Sequence, residues 1–283
     1  MPNNSILTNT ASMTALQTLS AHNRTLDVTQ DRVSTGHKVT GAVDDASSFA
    51  IAQGLRSDLK AYAAVQQGMA NARGVLTVAL AGANTFSDLM GDLKERIISG
   101  MNPGNTTQQQ AILQQDFSAM LGTMRTVLEN AAYNGTNILI ETAVPFNTVV
   151  GQVNDLAVIA DIDGSTLTIR GQRVDFVWAN LALEDVTTNA AAQAALAQWE
   201  TQFQTVGMAL GQLGADWRLL DSQDKSIGEV ADTQEVGLGN IVDADLAKES
   251  ARLQALQVKQ DLVVTTLSIA NTRPNTILQL YKS

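Results

Sequence analysis

Apolar side chains recur at spacings of four and three along most of this chain, and the breaks in that rhythm mark its elements. From Ile51 to Ile97 the alternation runs through Leu55, Tyr62, Val65, Met69, Ala72, Leu76 and onward, with only Asp58 off pattern. Such a run predicts one long helix with a continuous apolar seam. Gly54, Gly68, Gly74, Gly82 and Gly91 fall outside the seam. Each costs up to about 1 kcal/mol of helix stability relative to Ala, which packing has to offset.

The segment GMNPGNTT, Gly100 to Thr107, stops that helix, because Pro103 cannot continue it and the flanking Gly and Asn favour turns. A returning helix carries Leu113, Phe117, Met120, Met124, Val127 and Ala131 on one face and ends at YNGTN, where Asn134-Gly135 signals a turn. The texture changes between Glu141 and Leu183. LAVIADI and TLTIRG read as strands around Asp163-Gly164, a dipeptide suited to the tight turn of a hairpin, and VDFVW reads as a further strand. The aspartates of DIDGS imitate the opening of a calcium loop, but the later ligand spacing and the distal glutamate are missing, which leaves a plain hairpin.

Helix resumes near Asp185 and Thr188, both suitable N-caps, with a seam from Leu196 through Trp199, Phe203, Val206 and Leu213 to Leu238. At GLGN the register slips by one residue, and the paired Gly237 and Gly239 mark a junction. The seam continues as Val242, Leu246, Glu249, Leu253, Leu256, Gln260, Val263, Leu267 and Ala270. At the other end Leu19, Leu26 and Val33 recur every seven residues behind Met13 and Leu16, until STGHKVTG interrupts at Ser34. Both chain ends thus carry an amphipathic helix set off by a glycine-containing break. Pairing the ends buries both stripes over roughly 40 Å at 1.5 Å per residue. Two narrow seams make such a pair marginal alone. Either other copies of the molecule complete the seams, or the chain is an ordinary monomeric bundle; periodicity leaves both open.

Composition narrows the partners. Aromatics are 4% of residues while Ala, Leu and Val dominate, so aliphatic contacts between helices must build the core. The expected fold is mainly α, with long helices from both chain halves forming coiled-coil and bundle domains around a small β-hairpin insert. Eighteen basic residues against 28 acidic ones give a net charge of −10, which repels phosphate backbones and anionic lipid. Neither nucleic acid nor membrane is an expected partner, and no apolar run approaches the roughly 20 residues of a spanning helix. The chain has no cysteine, hence no disulfide and no thiolate metal site. MPNNSILTNTASM shows neither the basic nor the apolar region of a cleaved signal peptide, so export would need another route.

Enzymatic chemistry has little footing. His22 and His37 lie on the terminal helix and in the turn after it, outside any HExxH element, and read as solvated surface groups. No G-x-S-x-G stretch supports a nucleophile elbow, and no catalytic residue, metal or cofactor is expected. Glu249 stands on the C-terminal seam among Leu246, Leu253 and Leu256. The plain reading is a partly wet seam edge; the functional one is a charge that sets register or packing between subunits.

The stretch ILTNTASMTALQTLSAHNRTLDVTQDRVSTGHKVTGAVDDASSFAIAQGLRSDLKA, Ile6 to Ala61, resembles the N-terminal pattern of bacterial flagellin. That pattern has a polar start, a Leu-spaced helix, an Arg-Val/Leu-Ser-Thr/Ser-Gly turn, here Arg32 to Gly36, and then Asp-Asp-Ala, here Asp44, Asp45 and Ala46. Gly36 permits the turn, and Asp44 or Asp45 can cap a helix at its positive dipole end. NIVDADLAKESARLQALQVKQDLVVTTLSIAN and the closing ILQLYKS are similar to the family's C-terminal segment, and YNGTNIL to the Asn-Gly turn that closes its helical core region.

The resemblance implies a structural subunit that self-assembles through its terminal helices into the flagellar filament used for swimming, outside the cell. Residues 1–43 and 241–283 would be the two arms of an inner coiled-coil domain. Residues 44–140 and 185–240 would be the halves of a helical core domain, with 141–184 as its β-hairpin region. Leu16, Leu19, Leu26 and Val33, with Leu246, Leu253, Leu256, Val263 and Leu267, would pack the seam or the contacts between subunits. Gly36, Asp44, Asp45, Gly237 and Gly239 would form the turns and junctions. Implied partners are further copies in a helical homopolymer, sibling flagellins, an export chaperone on the C-terminal helix, the flagellar type III export apparatus, and the hook-junction and cap proteins. Export would proceed unfolded, with no cleaved signal.

One stretch departs from part of the family. Flagellins recognised by the innate immune Toll-like receptor carry a basic-x-basic-Glu-Leu-Ala-type segment where this chain reads DLKERIIS, Asp92 to Ser99. Lys94 and Glu95 fit in part and Asp92 does not, which implies weak or absent activation. A hook-filament junction protein, which shares the terminal helices, is the alternative within the same apparatus. A monomeric helical binding module is the alternative outside it.

Overall fold

The computed structural model describes residues 9–141 and 155–282. The polar start, residues 142–154 of the expected insert and the side chains of the closing ILQLYKS lie outside the described residues. The elements follow in the order α1 (Thr10–Thr35), α2 (Ala46–Gly100), α3 (Thr107–Asn130), β1 (Leu156–Ile159), β2 (Thr166–Ile169), α4 (Val174–Leu181), α5 (Asn189–Val242) and α6 (Leu246–Lys282). They divide between two compact units, Asp58–Asp232 and Met1–Ser57 with Thr233–Ser283.

In the Asp58–Asp232 unit the α2 seam is buried from Val65 through Met69, Leu76, Phe86, Met90 and Leu93 to Ile97. Together with Phe117, Met124 and Leu128 of α3 and Trp199, Val206, Leu213, Leu220 and Ile227 of α5, it forms one apolar cluster. On α3 the buried stripe includes Leu121 and Leu128, whereas Leu113, Met120 and Val127 are only partly buried. A strict four-three alternation drifts by about 20° per heptad from a straight helix, and α3 follows the straight-helix face. Close approach accounts for two glycines: a Cβ on Gly74 would sit 2.7 Å from the Tyr133 ring, and one on Gly82 would sit 2.6 Å from Ala131 Cβ.

The turns carry their own hydrogen bonds. Thr106 and Gln109 form a reciprocal capping box at the start of α3. After α3, Tyr133 and Thr136 exchange two backbone hydrogen bonds of 2.9 Å around Asn134 (φ 49°) and Gly135 (φ 80°), the positive-φ pair of a tight two-residue turn. β1 and β2 pair antiparallel, Leu156 opposite Ile169 and Val158 opposite Leu167, so one face of the hairpin points at the core. Its turn is longer than the Asp-Gly dipeptide suggested. Ala160 donates to the Ser165 carbonyl, leaving residues 161–164 as the loop. Gly164 takes φ 88°, while the Asp161 carboxylate accepts from the Asp163 and Ser165 N–H groups.

VDFVW is a helix, not a strand. Val174, Val177 and Leu181 are buried at helical spacing in α4, and a short apolar run does not distinguish the two periods. Backbone hydrogen bonds from Gln172 to Ile138 and from Val174 to Leu139 fix its entry. Arg173 lies between Glu141 at 2.9 Å and fully buried Asp175 at 3.1 Å. At the start of α5 the Thr188 hydroxyl accepts from the Ala191 N–H, as an N-cap does. α5 also runs unbroken through Gly237 and Gly239 to Val242. The break expected at GLGN falls instead at Asp243–Asp245, where Asp245 accepts from Lys248 N–H and starts α6.

Candidate assembly surface

The second unit is built on the pairing of α1 with α6. α1 starts at Asn9, whose side chain accepts from Ser12 N–H, and ends at Gly36, in the left-handed region at φ 74° with its N–H on the Arg32 carbonyl. Hydrogen bonds join Asn9 to the Ala270 carbonyl, Ser12 to Asn271 and Asn23 to Gln260, and an ion pair joins Arg32 to Glu249. Rising numbers on one helix meet falling numbers on the other, so the pair is antiparallel.

The two chain breaks are stitched to each other. Lys38 N–H donates to the Val242 carbonyl at 2.7 Å, Ala244 N–H to the Gly36 carbonyl at 2.8 Å, and Lys38 Nζ to the Asn240 carbonyl at 2.7 Å. His37 Nδ1 lies 3.1 Å from Asp243 Oδ1, so this histidine has a carboxylate partner where simple solvation was expected. Asp44 and Asp45 divide their work. Asp44 Oδ2 takes the Thr40 hydroxyl and the Thr40 and Gly41 N–H groups, while Asp45 takes the Ser47 and Ser48 N–H groups and the Ser48 hydroxyl at the head of α2. These hydrogen bonds, the Thr40 hydroxyl foremost for Asp44 and the Ser48 hydroxyl foremost for Asp45, hold both carboxyls below the usual aspartate range. Gly237 and Gly239 lie within the last turns of α5.

Burial sorts the apolar residues of the pair. Leu256 is buried, and Leu19, Leu26, Val33, Leu253, Val263 and Leu267 are partly buried. Leu16 and Leu246 are about half exposed, as is Ile51 at the start of the α2 seam. Thr29 is buried on α1, its hydroxyl satisfied by the Thr25 carbonyl. Glu249 is 8% exposed, a buried seam carboxylate and not a wet edge.

A second apolar set went unread in the sequence. Val258, Leu262 and Ile269 are exposed on α6, as are Met13 and Val28 on α1. Val258, Leu262 and Ile269 stand two residues beyond the seam positions Leu256, Gln260 and Leu267. At about 100° per residue they occupy the opposite side of the helix. Their four-and-seven spacing is itself helical, but the longer Leu run on the other side of α6 carries the stronger periodic signal. A helix apolar on both sides is normally covered on both.

The arrangement is one of packing between helices, and among the described residues no group of three His, Asp or Glu side chains is placed to hold a metal ion. The comparisons with known proteins match it. Residues 6–143 match the family model of the bacterial flagellin N-terminal helical region and residues 196–281 that of the C-terminal helical region. Flagellin FljK of Caulobacter vibrioides is 34% identical over 280 residues, covering 99% of both chains. A flagellin of Brucella melitensis is 35% identical over 285 residues, covering 98% of this chain and 99% of its own. Among solved structures, a putative flagellar hook-associated protein from Vibrio parahaemolyticus superposes with a TM-score of 0.59 at 18% identity, over 71% of this chain and all of that one. Bacillus cereus flagellin gives 0.50 at 15%, over 57% of this chain and 88% of its own.

Proposed function

This chain belongs to the bacterial flagellin family, and from that membership we propose how it assembles and reaches its place. It is a structural subunit of the flagellar filament. The hook-junction alternative has a fold likeness at 18% identity, against flagellins matched over nearly the whole chain at 34% and 35% identity.

The observation that supports a mechanism is α6, which turns Leu253, Leu256, Val263 and Leu267 toward α1 and leaves Val258, Leu262 and Ile269 in solvent. In our reading neighbouring copies cover that outer stripe, together with Met13, Leu16 and Val28 of α1. Repeated head-to-tail contacts of this kind generate an open helical polymer. Burying a Leu or Ile side chain contributes about 1.5–3 kcal/mol, so a few per subunit, repeated along a filament, suffice to order a marginal helix pair.

The finer route follows the same logic. The subunit is exported unfolded through the flagellar type III apparatus, a cytoplasmic chaperone shields the apolar C-terminal helix beforehand, and hook-junction and cap proteins bound the growing filament outside the cell. Replacing Leu262 and Ile269 together by Gln tests the mechanism. We expect seeded filament growth to fall by tenfold or more while the thermal midpoint of the Asp58–Asp232 unit stays put. Undiminished growth would refute a packing role for the outer stripe.

A further inference from the structure

The α1–α6 seam carries polar side chains where leucine would pack better. Glu249 is 8% exposed, with Oε1 3.5 Å from Arg32 Nη1 and 4.0 Å from Arg252 Nη1. Its Oε2 is buried without a hydrogen-bond partner among the described residues. About three turns further along α6, Gln260 Nε2 donates to Asn23 Oδ1 at 2.9 Å. A buried carboxylate held by two long contacts is a poor source of stability. Buried polar groups in helix seams are better attested as devices that specify alignment.

The apolar seam needs such a device. Leu19, Leu26 and Val33 repeat every seven residues, as do Leu256 and Val263, so sliding one helix by a heptad again sets Leu and Val against Leu and Val. The polar pairs do not survive the slide. One direction moves Glu249 from Arg32 to Thr25 and Gln260 from Asn23 to Leu16. The other carries Glu249 past the end of α1 to Val39 and sets Gln260 against Gln30. In the first case the buried carboxylate loses Arg32 and keeps the 4.0 Å contact to Arg252 of its own helix, while an amide is buried against leucine; in the second the carboxylate again loses Arg32. Arg24, the other arginine of α1, is exposed.

We propose that Arg32–Glu249, backed by Asn23–Gln260, is a register key that admits one antiparallel alignment of α1 on α6 and rejects the heptad-slipped ones. The proposal rests on the filament reading for its purpose: in a polymer of identical subunits the terminal pair must close at one length every time. It rests only on the pair itself for its mechanism.

The chain has no cysteine, so disulfide trapping reads the register directly. Ser12→Cys with Asn271→Cys, whose native side chains touch at 2.8 Å, reports the observed register. Ser12→Cys with Val264→Cys reports the heptad slip. Each pair is oxidised in seeded assembly mixtures, and the yields are measured in the soluble and filament fractions. With the key intact we expect the slipped pair at about a tenth of the native yield or less; after Arg32→Leu with Glu249→Leu we expect it to rise to within about threefold. A ratio unchanged by the leucine pair overturns the proposal. A parent that fails to polymerise contradicts the filament reading, while the soluble ratio still decides the register. If the leucine variant does not fold, the exchange Arg32→Glu with Glu249→Arg decides. It should restore the native-register disulfide lost in Arg32→Glu alone, and failure to exceed that single variant overturns the key.

Discussion

Single residues decide whether the long helices can approach one another. Gly82 faces Ala131 so closely that an added Cβ would lie 2.6 Å from the Ala131 methyl, whereas Gly91 has nothing within 4 Å of the same position. Gly82→Ala should therefore destabilise the Asp58–Asp232 unit by about 1–3 kcal/mol in spite of its better helix propensity, and Gly91→Ala should stabilise it by up to about 1 kcal/mol. Thermal unfolding of the two variants checks the pair, and equal shifts would contradict it. Asp44 and Asp45 set a pH dependence of known sign. Their folded pKa values lie below the unfolded one, so their contribution is complete above the ordinary carboxylate range and is lost as pH falls below about 4. An NMR titration of the Ser47 and Ser48 amides should give a midpoint below that of an aspartate in an unfolded peptide; a midpoint above it would be inconsistent with these hydrogen bonds. At Asp92 the side chain is exposed, and Lys94 places Nζ 4.4 Å from the centre of the Trp199 ring. Purified, lipid-free protein should give a weak or absent Toll-like receptor signal in reporter cells, and a strong one would show that the departure at Asp92 is immaterial.

At the scale of elements, the two terminal helices have little to hold them beyond one another. α6 presents Val258, Leu262 and Ile269 to solvent, and its pairing with α1 rests on partly buried side chains and a few polar contacts. In the unassembled subunit, hydrogen exchange should be fast in residues 10–35 and 246–272 and slow along α2 from Val65 to Ile97; strong protection of the ends in dilute solution would favour a self-sufficient monomer. Much of this was legible beforehand. The long helix from Ala46 to Gly100, the stop at Pro103, the returning helix and the hairpin all follow from period and turn chemistry, because long periodic runs and Gly, Pro and Asn-Gly breaks are strong local signals. VDFVW was misread because its five residues fit either period and only the tertiary hydrogen bonds from Gln172 and Val174 choose the helix. The break at Asp243 was placed at Gly237 and Gly239 because glycine is the stronger local signal, while the observed break is fixed by long-range backbone pairing to Gly36 and Lys38. On the candidate surface, Arg32 opposite Glu249 could not be read at all, since sequence spacing fixes a face but not the alignment of two distant helices.

The whole molecule makes sense as one copy among many. Two chain ends pair with each other, leave an apolar side uncovered, and belong to a family whose curated relatives match along nearly their full length. Filament formation should therefore depend on α6 as a whole. The measurement to make is electron microscopy of the purified chain after addition of a precipitating salt and short filament seeds, beside a version lacking residues 245–283. Long tubes from the intact chain and none from the truncated one are predicted. Absence of tubes from the intact chain, or equally long tubes from both, would contradict assembly through the terminal helices.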